Sequence, residues 1–143
     1  MSKTNSAENS LLALLFNATA WADLAENDSS SPATSLYVSL HTADPGEAGS
    51  QTTNETSYTS YARVAVARNS GGWTVSGNAV SNTAAITFPA CTGGSATITH
   101  FGIGTASSGA GVLLYKGALT ASLAVSSGIT PQFSAGECDV TED

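Results

Sequence analysis

Ser35-Leu36-Tyr37-Val38-Ser39-Leu40-His41-Thr42 decides the fold class. In an extended chain Leu36, Val38 and Leu40 share one side, and Tyr37, Ser39 and His41 share the other. A period of two with one apolar face is the pattern of a half-buried β-strand. Asp44-Pro45-Gly46 then reads as a turn, because proline presets φ and glycine accepts a positive φ. The phase predicts Leu36, Val38 and Leu40 in the core, with Ile86, Ile98, Ile103, Leu113 and Leu119 nearby.

Downstream, further strand candidates follow at short intervals: 61–68, 72–75, 84–88, 96–105, 112–119, 122–125, 130–133 and 137–141. Clusters such as Asn69-Ser70-Gly71-Gly72, Gly93-Gly94-Ser95 and Ser107-Ser108-Gly109-Ala110-Gly111 punctuate them. Many short strands with regular turn signals and no intervening helix argue for an antiparallel β-sandwich, jelly-roll-like, rather than a parallel sheet. Ile129 to Val140 reads as a closing hairpin turning at Ser134-Ala135-Gly136, with Pro131 at a strand end or edge. The stretch from Glu47 to Ser60 is polar and without period. Loops of that length in a compact domain are often functional.

Upstream lies the chain's helical period. Leu11, Leu14, Leu15 and Ala18 follow i, i+3, i+4, i+7 spacing, with Leu12 alongside. Asn5 and Glu8 form a capping pair ahead of it. A helix is predicted over Glu8 to Phe16, with an extension through Trp21 and Leu24, before Asp28-Ser29-Ser30-Ser31-Pro32 breaks the pattern. The reading is thus a helical segment and linker over 1–34 and a β-sandwich domain over 35–143. A helix this short is marginal alone in water, so its apolar stripe must dock. Leu11, Leu12, Leu14, Leu15 and Trp21 are the candidate partner-interface residues, with the chain's own sandwich as the alternative dock.

Composition narrows the function classes. Only 10% of the 143 residues are charged, against roughly 25% in an ordinary domain. Such a neutral-polar surface suits a protein packed in an assembly. Four basic residues against eleven acidic ones give a net charge of −7 and no basic stripe, which argues against nucleic acid as a partner. The start, Met1 to Asn5, is polar, and the apolar run from Leu11 to Phe16 is far short of the roughly twenty residues of a membrane helix. It also lacks the flanks of a cleaved signal. Cys91 and Cys138 are too few for a disulfide scaffold and read as buried thiols, with a bridge as the alternative.

No constellation carries catalysis. His41, Asp44 and Glu47 lie close in sequence, but a strand end entering a turn is polar anyway. His100, between Thr99 and Phe101, reads as a core or interface histidine. Gly102-Ile103-Gly104 lacks the third glycine, the helix and the later acidic residue of a dinucleotide fingerprint, and reads as strand glycines that admit a close neighbour. The three Asn-Xaa-Ser/Thr triplets at 17–19, 27–29 and 54–56 are what a Ser/Thr/Asn-rich chain contains by composition. No enzyme, cofactor or metal site is expected.

Several segments together resemble a group of small structural proteins of tailed bacteriophages. They are Glu8-Asn9-Ser10-Leu11-Leu12, Ala20-Trp21, the strand and turn from Leu36 to Glu47, Tyr61-Ala62-Arg63, Thr97 to Ile103, Leu114 to Leu119, and Ser134-Ala135-Gly136. The run LYVSLHTADPGE is the most specific of these. The resemblance implies a virion component without catalytic residues. On that basis the first expectation is a capsid decoration protein on the head exterior, bound to the major capsid protein. The alternative is a tail-tip or tail-fibre component, contacting other tail proteins and the host surface through Gly/Ser loops. A homo-oligomer is expected, a trimer on general capsid geometry.

Overall fold

The structure, a computed structural model, describes residues 5–21, 25 and 30–142. It is mainly β and antiparallel with one N-terminal helix, as the strand pattern predicts, and is consistent with a β-sandwich. The elements are α1 (Asn5–Asn17), β1 (Ser35–His41), β2 (Val64–Ala67), β3 (Trp73–Ser76), β4 (Ala79–Asn82), β5 (Ile86–Thr87), β6 (Ser95–Gly104), β7 (Leu113–Ser126), β8 (Gln132–Phe133) and β9 (Asp139–Thr141). They form sheets ordered β2-β1-β6-β7, β3-β4-β9 and β5-β8. The chain divides into two compact units: one of residues 1–35, 66–86 and 133–143, the other of 36–65 and 87–132.

In the first unit α1 packs on the β3–β4 hairpin. Leu12 and Phe16 are fully buried, and Phe16 meets Trp73 edge-on with ring centroids 4.8 Å apart. Leu11, Leu14, Leu15 and Trp21 are half-buried. Asn9 donates from its amide to the Gly77 carbonyl at 3.0 Å, and the Arg68 guanidinium donates to the Leu14 and Leu15 carbonyls, which the helix end leaves unbonded. The helix stops at Asn17, where Ala18 takes a left-handed φ of 52° and Thr19 bonds back to Ala13. The predicted extension therefore fails at Trp21, which forms a β-bridge with Ala25; Leu24 lies outside the described residues, as does the side chain of the Asn5 cap.

The C-terminal segment corrects a second expectation. Ser134-Ala135-Gly136 does turn, with Gly136 at φ 83°, but the strands on either side do not pair with each other. β8 joins β5, and β9 joins β4. Asn82, fully buried, explains the placement: its amide donates to the Ala84 and Ser134 carbonyls, and its side-chain oxygen accepts from the Cys138 N–H at 2.9 Å. Burial pushes the Cys138 thiol up to about 12; Cys91 and Cys138 are both buried and unbridged.

The second unit is built on β1, β6 and β7. β1 pairs β6 with Val38 opposite Ile103 and His41 opposite His100, and β6 pairs β7 with Ile103 opposite Tyr115. Leu36, Val38, Leu40, Phe101 and Ile103 line one face, as the phase of β1 predicts. Ile98 is also buried, whereas Leu113 and Leu119 are half-buried. The two candidate strands at 112–119 and 122–125 are one element, β7. Its pairing to β6 breaks between Ala118 and Leu123, so the chain bulges at 119–122.

Candidate functional site

The face of β1 that alternation marks as polar is buried too. Ser39 and His41 are fully inaccessible, because residues 44–56 fold back over them. The fold-back is a short antiparallel run: Thr42 N–H bonds Asn54 O at 2.8 Å, and Thr56 N–H bonds Leu40 O at 2.9 Å. So the 47–60 stretch is ordered by contacts within its own unit, with Gln51, Thr56 and Tyr58 buried. Glycines make the space: a Cβ on Gly104 would come within 2.3 Å of Gln51, and one on Gly102 within 2.8 Å of both Ser39 Oγ and His41 Nε2. The pair that resembles half a nucleotide fingerprint is thus a seat for polar side chains.

Charge then ties the fold-back to the rest of the unit. Arg63 forms a two-armed pair with Glu55, Nε to Oε1 at 2.7 Å and Nη2 to Oε2 at 2.8 Å. Tyr61 donates its hydroxyl to Glu55 Oε1 and accepts from the Leu40 N–H. Glu55 raises the Arg63 pKa further, and burial holds the Tyr61 hydroxyl protonated, far above its usual range. The Arg63 side chain is only 2% exposed. Its remaining donors reach the carbonyls of Ala106 and Gly109, at 2.8 and 2.7 Å. Gln51 adds two more supports, accepting from the Ala106 N–H at 2.9 Å and bonding Ala110 O through its own N–H.

Those four carbonyl and amide groups belong to one loop. Residues 105–112, Thr-Ala-Ser-Ser-Gly-Ala-Gly-Val, join β6 to β7, carry no charge and are exposed from Ser107 to Val112. Val112 is the most exposed large apolar residue among those described, at 58%. The loop is held from beneath by two buried polar side chains and presents hydroxyls, peptide groups and one apolar side chain.

Beside it lies a shallow cleft of about 220 Å³, lined by Gly46, Glu47, Gly49 and Leu113 to Lys116. Here the turn after β1 meets β7, so two of the most telling sequence segments are brought together. Lys116 Nζ lies 3.2 Å from Asp44 and 3.1 Å from Glu47. The Gly46 N–H and Lys116 hold the Asp44 carboxyl below its ordinary range, while Glu47 and Asp44 raise Lys116. The two carboxylates are exposed, Lys116 is half-buried, and the three are mutually neutralised, a surface clamp rather than an acid–base pair.

The other candidates separate. His41 is a buried support and does not join Asp44 and Glu47 at the cleft. His100 is bonded to the Thr99 hydroxyl at 2.9 Å. Among the described residues no cluster of His, Cys, Asp and Glu could hold a metal, and no helix is long and apolar enough to cross a membrane. Sequence reasoning missed Gln51, Glu55 and Arg63 as supports of the 105–112 loop. The Tyr61-Ala62-Arg63 segment was the one signal, and it gave no partner.

Residues 2–141 match the model of the Gp80 family, described as Podophage GP4 fiber I protein gp80. The chain belongs to that family. The Gp80 family is one of phage fibre proteins, so the chain is a virion structural protein. No curated protein matches it.

Proposed function

We propose that this Gp80-family protein is a fibre component of the phage virion, non-catalytic, whose contact surface is the 105–112 loop with the adjoining cleft. The support comes from how the loop is held. Burying an ion pair such as Arg63–Glu55 gives little net stability, because desolvation offsets the attraction. What it does give is one conformation of an exposed, glycine-rich loop that has little stiffness of its own. A loop fixed before contact loses less entropy on binding, which is the advantage of preorganisation. The family description favours the fibre over the capsid decoration expected first from sequence.

Repeated copies are the usual construction of a fibre, so a homo-oligomer is part of the proposal, with other virion proteins, capsid or tail, as the attachment partners. Leu12 is used up in its own unit, which leaves the half-buried Leu11, Leu14, Leu15 and Trp21 as the partner-facing part of the N-terminal stripe. Cryo-electron microscopy of the virion tests the reading. Density for this chain in a projecting element, with 105–112 away from the attachment end, is the expected result. A chain lying flat across capsomer boundaries would replace the fibre by decoration.

A further inference from the structure

Beneath residues 49–56 lies an imidazole that the contact surface does not use. His41 is fully buried, with Nδ1 2.9 Å from the Thr53 carbonyl and Nε2 2.8 Å from the Ser39 hydroxyl. A carbonyl only accepts, so in the neutral ring Nδ1 carries the proton and Nε2 accepts from Ser39. A second proton has a hydrogen-bond partner, since the Ser39 hydroxyl can turn to the Gly102 carbonyl at 3.3 Å. What it lacks is a free anion. Glu55 is bonded to Arg63 and Tyr61, while Arg63 carries a fixed positive charge and His100 faces His41 across the register on β6. Burial pushes His41 below its ordinary 6.5, with Arg63 and His100 acting the same way against Thr53 and Glu55.

The segment above the ring is the weakly satisfied part of this unit. Gln51 Nε2 and Thr56 Oγ1 are both buried without a hydrogen-bond partner among the described residues. The Gln51 amide, left in that state within the segment over His41, favours an opened form in which water reaches it. Opening also gives the imidazole the solvent that a charged ring requires.

We propose that residues 49–53 are an acid-released clasp: protonation of His41 lifts this segment while Glu55 stays on Arg63 and β1, β6 and β7 stay paired. The sign follows from proton binding. Between the closed-state pKa and about 6.5 the opened form holds more protons, so the closed form's advantage is complete above that window and is lost as pH falls through it. Gln51 moves with the segment, so the Ala106 and Ala110 supports go with it. That consequence for the contact loop rests on the proposed function, whereas the clasp itself does not.

Hydrogen exchange on the full chain tests it without any ligand, expressed as protection relative to the unfolded chain at each pH. Between about pH 7 and pH 5, protection at Gln51 and Thr53 is expected to fall by about tenfold or more, while Thr56, Ile98, Phe101 and Ile103 hold theirs. His41→Asn keeps a donor near Nδ1 and cannot take the charge, so its profile is expected to be flat. In the unaltered protein the ring's own NMR titration is expected to share its midpoint with the loss of protection, which settles the matter even where His41→Asn does not fold. The clasp is overturned if the ring titrates with the segment still protected, if the segment's protection does not change with pH, if β6 loses protection in parallel, or if His41→Asn shows the same fall.

Discussion

Glu55 is a small part of the sequence and a large part of the second face. Its carboxylate neutralises Arg63, whose side chain is almost entirely out of water, and it accepts from Tyr61. Removing it strands a guanidinium that cannot shed its charge. Glu55→Ala is therefore expected to lower the unfolding free energy in urea by about 3–5 kcal/mol, the range for breaking a buried pair from one side. A loss of under about 1 kcal/mol would class the pair with surface salt bridges. None of this was legible before the fold. Glu55 and Arg63 are eight residues apart in a polar stretch with no period, and nothing in their spacing says that the chain returns on itself between them. Asn82 is the same kind of miss: no strand was read over 79–82, and here the asparagine side chain is buried because its amide satisfies three backbone groups.

At the scale of elements, what was legible was periodicity. The phase of β1 placed Leu36, Val38 and Leu40 correctly because burial on one face imposes a period of two. The same rule failed for the opposite face, since alternation reports polarity and not exposure. A polar face can be buried when a loop supplies hydrogen-bond partners, as Thr53 does for His41. The helix and its end near Phe16 were legible from its leucines, but the failure of the extension to Trp21 was not, because a non-glycine left-handed cap at Ala18 leaves no mark in the sequence. The docking of α1 changes what its removal should do. Phe16 covers Trp73 edge-on and α1 packs on its strand, so deleting residues 1–25 uncovers that ring. The truncated chain is expected to expose Trp73, with red-shifted fluorescence and dye binding, and to melt well below the intact chain. A truncated chain with unchanged melting and a buried Trp73 would mean that the helix is a detachable arm.

The chain is shared between two compact units. Each unit holds roughly half of the chain, and the chain passes between them at Ser35/Leu36, Ala65/Val66, Ile86/Thr87 and Gln132/Phe133. Every passage falls inside a strand, namely β1, β2, β5 and β8, so melting of either unit would cut those four strands. Units of this size are marginal alone, and holding one folded while the other becomes an open loop adds a closure cost. One cooperative transition is therefore expected in calorimetry, with calorimetric and van't Hoff enthalpies equal. Phe16→Ala makes the test sharper. A buried phenylalanine truncated to alanine costs about 3–5 kcal/mol, and in a chain near this length each kcal/mol moves Tm by about 2–4 °C. The mutated site lies in the first unit, yet the global-unfolding protection of Ile98 and Ile103 in the second is expected to fall by the same free energy. Two resolved transitions, or an unshifted β6 beside a destabilised helix, would show that the strand passages do not couple the units.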